Sequence, residues 1–332
     1  MSATTTMKAL LIDAPKADFR SAEIGRPMPR EGEVLVRIKA SGVNPLDTKI
    51  RAGNAAHARH PFPAVLGIDM AGVVEQVGPG VTRFHRGDDV YGMTGGVGGI
   101  QGSLAEFAAV DARLIAPKPP NLSMREAAAL PLIAITAWEG LVDRANVRNG
   151  RQVLVLGAGG GVGHIAVQIA KAAGADVFAV DSASKADYLA SLGATPIDYK
   201  AETVGDYVRN HAGGKGFDVV YDTVGGTGLD TAFQAVGRFG HVVSALGWGT
   251  HALAPLSFKA ATYSGVFTLL PLLTGEGRSH HGEILREVSK LVEAGKVMPR
   301  LDAHRFGLSD VAEAHALIEN RKANGKLVVE IA

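Results

Sequence analysis

Between residues 157 and 163 the chain reads Gly-Ala-Gly-Gly-Gly-Val-Gly. Glycine at this density removes the side chains that would keep a ligand away from the backbone. Free N–H groups at the start of a following helix favour an anion. A strand-to-helix bend of this composition is the grip used for a dinucleotide diphosphate. Asp181 stands about 20 positions further on, where an acidic side chain holds ribose hydroxyls. Asp181 favours NADH, whereas Ser182 and Lys185 beside it have the chemistry to cradle a 2′-phosphate and favour NADPH. Local residues leave both coenzymes open.

Other polar residues carry a weaker signal. Asn44 and Asp47 read equally as the cap of a turn and as residues acting on a substrate. His57 and His60 read as solvated loop residues, and His280 and His281 as exposed linker. Trp138 reads as helix packing. Trp248 follows a strand, at the edge of a sheet where ligands bind.

The elements that must position these residues fall into two patterns. Up to about Pro120 the chain is β-rich: Lys8–Ile12, Glu33–Ala40, Gly72–Val77, Asp89–Met93 and Ala105–Ala109 are short apolar or alternating runs separated by turn residues. Gly92–Gly102 reads as a surface loop. Ser123 and Glu126 form a capping-box pattern, with helices expected after it and through Ala134–Val142. From Arg151 strands alternate with helices. Val153–Leu156, Asp176–Val180, Thr195–Asp198, Phe217–Tyr221, His241–Ala245 and Ser264–Thr268 are the strand runs. Val162–Ala173 and Lys185–Leu192 have helical apolar spacing. Six strands with intervening helices predict an α/β fold, a doubly wound parallel Rossmann sheet. Helices at about Gly282–Ala294 and Ser309–Asn320 and a strand at Lys326–Glu330 complete the chain. The apolar run Val266–Leu273 reads as having a strand part that pairs across a subunit interface.

Composition narrows the function further. At 332 residues and 46% hydrophobic content the chain can bury two cores. Lys plus Arg number 34 against 33 Asp plus Glu, so no charge excess steers it to nucleic acid or to a membrane surface. There is no cysteine, which removes disulfides, thiolate nucleophiles and cysteine-ligated zinc. Met1–Thr6 shows no apolar signal region, and a cytoplasmic location is expected.

Several segments, taken in order, resemble one family. They are Gly42-Val43-Asn44-Pro45-Leu46-Asp47, Gly67-Ile68-Asp69-Met70-Ala71-Gly72-Val73-Val74, Gly78-Pro79-Gly80-Val81 with Gly87-Asp88, and Gly102-Ser103-Leu104-Ala105-Glu106-Phe107. The Ala158–Gly163 loop, Asp222-Thr223-Val224-Gly225-Gly226 and Gly325-Lys326-Leu327-Val328 follow. The chain is similar to the zinc-independent quinone oxidoreductases, the zeta-crystallin-like branch of the medium-chain dehydrogenase/reductase superfamily.

That resemblance implies a GroES-like β-rich catalytic domain (1–126 with 269–332), into which the Rossmann domain (127–268) is inserted, an active site in the cleft, and a homodimer through the Rossmann domain. It implies no zinc, because Asn44 stands where zinc dehydrogenases have Cys and Ile68 where they have His. Without a Lewis acid an alcohol is hard to oxidise; reduction of a small electrophilic acceptor, a quinone or an α,β-unsaturated carbonyl, is the expected reaction. By the same resemblance Gly160, Gly161, Val162 and Gly163 bind diphosphate. Ser182, Lys185 and Tyr199 meet the 2′-phosphate, which tips the coenzyme to NADPH. Thr223 and Gly226 lie near the nicotinamide ribose. Leu246, Gly247 and Trp248 follow a sheet strand, Val266, Phe267 and Thr268 meet the amide, and Asn324 and Lys326 close the site. Asn44 and Asp47 join the catalytic residues. Where many quinone reductases place two tyrosines this chain has Lys49 and Ala55, and Lys49 is expected to bring charge to the acceptor. The alternatives are an alcohol or aldehyde dehydrogenase and a non-catalytic NADPH- or RNA-binding crystallin-like protein; the balanced charge disfavours RNA.

Overall fold

A computed structural model describes residues 5–331; residues 1–4, part of the start read above, and residue 332 lie outside the described residues. The chain divides into two units. One holds the described residues up to Leu132, then Leu269–Ala294 and the chain from Pro299 onward; the other holds Ile133–Thr268 with Gly295–Met298.

In the second unit six strands hydrogen-bond in the order Thr195–Asp198, Asp176–Asp181, Gln152–Leu156, Phe217–Asp222, Val236–Ser244, Thr262–Gly265. All five pairings are parallel. Numbered along the sequence the order is 3-2-1-4-5-6, the doubly wound Rossmann arrangement. Val153, Leu154 and Val155 are fully buried, as a strand covered on both faces requires. The helix Gly161–Ala172 turns Ile165, Ala166, Ile169 and Ala170 inward at the expected spacing. Thr203 and Asp206 form a capping box on the helix Val204–Ala212, which Gly213 ends in a left-handed conformation. Strand order reverses between Gln152–Leu156 and Phe217–Asp222, and carboxyl ends of strands at such a point frame a crevice.

One expectation fails at the end of this unit. The last strand is Thr262–Gly265, and Val266–Leu273 has no strand part: Val266, Leu269 and Leu272 are buried, and a helix covers Leu270–Thr274. The run is apolar enough to read as a strand, but its buried apolar residues fall three apart, which is not the alternation of a strand. At the start of the unit the helix expected through Ala134–Val142 is present; it begins at Pro131 and changes at Glu139 to a wider π-helical turn running to Arg144.

The first unit is built on the eleven-residue strand Glu33–Val43. It pairs antiparallel with Asp69–Val77, with Phe107–Asp111 and, at its far end, with Leu327–Glu330. Asp89–Met93 and Ile115–Pro117 extend the sheet beyond Asp69–Val77. Thr6–Leu11 forms a separate ribbon with Arg20–Gly25, a strand whose polar, half-exposed residues gave no pattern in the sequence. The helix Met124–Ala128 carries the expected Ser123–Glu126 box and belongs to this unit, so the unit runs past residue 126. It lies so close to the long strand that a Cβ on Gly42 would sit 2.2 Å from the Ala128 carbonyl oxygen.

The glycine-rich stretch Gly92–Gly102 is not a surface loop. Residues 92–97 are buried and only Gly98 and Gly99 at its tip are exposed. A Cβ on Gly95 would meet the Gln101 carbonyl oxygen at 1.9 Å, and one on Gly102 would meet that of Leu66 at 2.2 Å. Glycine here permits backbone to pack on backbone. His280 and His281 are likewise not linker: both lie in the helix Arg278–Glu293, with His280 outward and His281 fully buried. His57 and His60 are half-buried, and burial lowers the pKa of both. No described helix is long and apolar enough to cross a membrane.

His315 stacks edge-on against Phe19, with ring centroids 5.2 Å apart, while the Arg51 guanidinium lies over the same phenyl ring. Burial, then Arg51, lowers the His315 pKa from 6.5 to about 4. The neutral ring is therefore fully stabilising above about pH 6.5, and that contribution is lost as pH falls toward 4. The gap of about 2.5 between the two values corresponds to about 3 kcal/mol at most. We expect His315→Leu to flatten the acid limb of the unfolding free energy in urea melts between pH 7 and 4; an unchanged limb would show that other groups govern it.

Candidate functional site

The glycine bend accounts for its amides one by one. The N–H groups of Gly157 and Ala158 both donate to the Val180 carbonyl, at 3.0 and 3.1 Å. Gly159 N–H donates to Asp181 Oδ2 at 2.8 Å, and Gly160 N–H to the Gly157 carbonyl at 3.0 Å. The first helical bond then runs from His164 N–H to the Gly160 carbonyl at 3.1 Å. Gly161, Val162 and Gly163 lie ahead of it, at a helix start with no side-chain cap, where the amides have no intrahelical acceptor. Three of the four residues expected at a diphosphate thus present unused amides, while the amide of Gly160 closes the turn. A Cβ on Gly163 would lie 2.2 Å from the Gly157 carbonyl oxygen, so the turn admits only glycine there. The bend fits a dinucleotide diphosphate.

Beside it, Asp181 is held on both oxygens. Oδ1 accepts from Ser182 N–H at 2.8 Å, and Lys185 Nζ stands 3.5 Å away while also donating to the Gly159 carbonyl at 3.3 Å. Ser182 and Ser184 share a hydroxyl hydrogen bond of 3.0 Å. The Tyr199 N–H donates to the Asp181 carbonyl, which sets the backbone of this exposed tyrosine next to the group. The structure therefore gathers Asp181, Ser182, Lys185 and Tyr199 at the carboxyl ends of two neighbouring strands.

At the switch point Thr223 Oγ1 donates to the Leu156 carbonyl at 2.7 Å and ties the two central strand ends together. Sequence reasoning gave no role to Asp222, yet this fully buried carboxylate organises the loop after it. It accepts from Val224 N–H (2.9 Å), Gly225 N–H (3.0 Å) and Ser244 Oγ (2.7 Å). Its signal was an acidic residue ending an apolar strand just before Thr-Val-Gly-Gly. Gly226, exposed at φ +53, starts the helix Thr227–Ala235. Ser244 Oγ in turn accepts from Leu246 N–H at 3.1 Å. A Cβ on Gly247 would collide with the Tyr263 hydroxyl at 2.2 Å. Trp248, 52% exposed, meets Phe267 edge-on at 6.0 Å. Val266 is buried, and Thr268 Oγ1 pairs with Thr136 and Glu139 at 3.0 Å each.

In the first unit the structure brings Asn44 and Asp47 together with Asp69 and Lys326, all four buried. Asp47 Oδ2 accepts from Asn44 N–H at 2.8 Å, starting the helix Pro45–Arg51; this is the cap reading of the pair. The Asn44 side chain does more. Its Nδ2 donates to Asp69 Oδ2 at 2.9 Å, and its Oδ1 accepts from Lys326 Nζ, which also donates to the Val43 carbonyl at 3.0 Å. Asp69 Oδ1 accepts from Leu132 N–H at 2.8 Å. Burial raises the pKa of both carboxyls, more than the nearby ammonium lowers them, and burial lowers that of Lys326. Lys49 stays outside this network, exposed on the same helix, and Asn324 is exposed with its Oδ1 bonded to Arg300 at 3.0 Å. Asp69 carried no role in sequence reasoning, although it stands inside a recognisable segment.

Comparison with known proteins places the chain. Residues 30–120 match the family profile of the alcohol dehydrogenase GroES-like domain, and residues 192–329 that of zinc-binding dehydrogenase. The chain is 37% identical to 2-methylene-furan-3-one reductase of Solanum lycopersicum over 93% of its own length and 74% of that protein. It is 35% identical to the chloroplastic NADPH-dependent alkenal/one oxidoreductase of Arabidopsis thaliana, over 91% and 73%. A crystal structure of an alcohol dehydrogenase superfamily protein from Novosphingobium aromaticivorans superposes with TM-score 0.97 at 55% identity, covering 98% of this chain and 100% of that one. The chain belongs to the medium-chain dehydrogenase/reductase superfamily. It is an oxidoreductase of that superfamily.

Removing one member of a buried charged network leaves its partner uncompensated, at about 3–5 kcal/mol. We expect Lys326→Met to cost that much in urea unfolding at neutral pH, and Asp69→Asn on the same background to recover part of the loss. Strictly additive effects would show that the two groups do not depend on one another.

Proposed function

We propose that this protein transfers hydride from NADPH to a small electrophilic acceptor, an α,β-unsaturated carbonyl or a quinone, without a metal. The observation that carries the reading is the uncapped helix start at Gly161–Gly163, set at the switch point and followed around the same sheet edge by the apolar Trp248–Phe267 corner. A bound nicotinamide supplies the hydride; an enone takes it at the β-carbon and a proton at the α-carbon. The chain's own part is to hold and to orient. Amides of Gly161, Val162 and Gly163 grip diphosphate, Thr223 and the Asp222-braced loop fix the floor near the ribose, and Trp248 and Phe267 exclude water from the acceptor's face.

NADPH is favoured by the group around Asp181. The Asp181 charge is already met by two amides and by Lys185, which leaves Ser182, Ser184 and Tyr199 with the lysine to receive a phosphate. A zinc ion does not fit the other unit. The Asn44 carbonyl accepts from the Lys326 ammonium, a cation that would repel a dication, and Ile68 is apolar and fully buried. Among the described residues no three His, Cys, Asp or Glu side chains gather as ligands. The balanced charge gives no attraction to an anionic membrane surface.

A homodimer belongs to the same proposal. Thr262–Gly265 is the end strand of its sheet, and Phe258 and Phe239 near it are 87% and 83% exposed. An open edge flanked by aromatic residues is suited to pairing with a second copy.

Two measurements test this reading. With a panel of enones and quinones, NADPH absorbance is expected to fall faster than that of NADH, and Lys185→Ala to raise the KM for NADPH about tenfold while leaving that for NADH within about twofold. Turnover with no acceptor, or equal use of both coenzymes, would overturn it. Phe258→Glu is expected to shift the sedimentation of the protein from dimer to monomer at micromolar concentration; a wild-type monomer would remove the dimer from the proposal.

A further inference from the structure

The segment Leu246–Leu253 leaves the sheet after Val236–Ser244 and has no regular structure until the short helix Ala254–Ser257. Its start is fixed by Ser244 Oγ under Leu246 N–H and by the Tyr263 hydroxyl packed against Gly247. Its far side is fixed by His251. The imidazole Nδ1 lies 2.8 Å from Asp230 Oδ1, on the first turn of the helix Thr227–Ala235, and Nε2 lies 3.2 Å from the Trp248 carbonyl oxygen. The ring leans edge-on against Phe233, 6.2 Å between centroids. Trp248 lies between these two anchors in the chain.

Both partners of the imidazole are acceptors: a carboxylate and a carbonyl offer no proton. A neutral ring has one N–H and can satisfy only one of them. An imidazolium, with an N–H on each nitrogen, satisfies both. We propose that His251 is a positioning residue that holds the Trp248 loop by double donation, so that the fit of bulky apolar acceptors depends on its protonation. This rests on the reading that Trp248 flanks the acceptor.

The surrounding charges agree with the geometry. The Asp230 hydrogen bond raises the His251 pKa above its usual value, the Trp248 carbonyl adds to it, and Asp222 at the end of its strand acts in the same sense. The clamp is closed below that raised pKa and opens as pH rises through it. Once one ring nitrogen turns a lone pair to the Trp248 carbonyl, the loop loses its distal anchor, and with it the angle between Trp248 and Phe267.

Emission of Trp248 in the coenzyme-free protein, assigned by its loss in Trp248→Phe, tests the clamp without any turnover. We expect a single titration between pH 5 and 9 with a midpoint above 6.5, absent in His251→Gln and moved downward in Asp230→Asn. In parallel, the KM for an aryl-substituted enone is expected to rise several-fold across the same midpoint, while that for a small alkyl enone and that for NADPH change less than twofold. A titration that persists in His251→Gln, or that ignores Asp230→Asn, overturns the clamp. A titration that the aryl KM does not follow overturns its role in specificity. If no acceptor is reduced at all, the emission still decides the clamp, and it is the reductase reading that falls.

Discussion

Backbone amides without partners are rare inside proteins, because each must be hydrogen-bonded or left to water. The bend at residues 157–163 holds three of them at the start of one helix, and the rest of its unit is arranged around that fact. Four preceding amides are spent on the Val180 and Gly157 carbonyls and on Asp181, which locks the bend into one shape. The shape then aims the unspent amides of Gly161, Val162 and Gly163 outward from the carboxyl end of the central strand. Thr223 fixes the neighbouring strand end against the same carbonyls, and Asp222 fixes the loop beyond it. The sheet is a support whose edge geometry decides where an anion can be held.

The first unit is governed by a different balance. Asp47, Asp69 and Lys326 are ionisable groups with almost no access to water, and Asn44 links the last two through its amide. Such networks stabilise little compared with an apolar core of equal volume, but they tolerate few geometries. Here the network ties the last strand, the long central strand and the helix that follows it into one register. Asn44 takes part in the helix cap through its N–H, while its side chain joins Asp69 to Lys326, which a cap does not require.

Glycine shows how one residue type serves opposed ends. In the 157–163 bend it permits the tight turn and leaves the helix start clear of side chains other than that of Val162. At Gly95, Gly102 and Gly42 it lets protein backbone touch protein backbone, and the stretch 92–97 is buried for that reason. Composition alone could not separate these uses, since both appear as runs of glycine between strands.

What the sequence determined by itself was whatever depends on neighbours along the chain. The parallel strands, the helix Gly161–Ala172 with its buried face, the glycine bend ahead of it and the Ser123–Glu126 cap were all legible, because periodicity and capping are local. Tertiary structure alone decided what depends on contacts remote in sequence. Lys326 meets Asn44 across 282 positions, and His251 reaches Asp230 across 21. Burial of His281 and the end of the last sheet strand at Gly265 were also fixed only by packing. Burial and remote pairing are properties of the folded chain's interior, and no window of the sequence contains them.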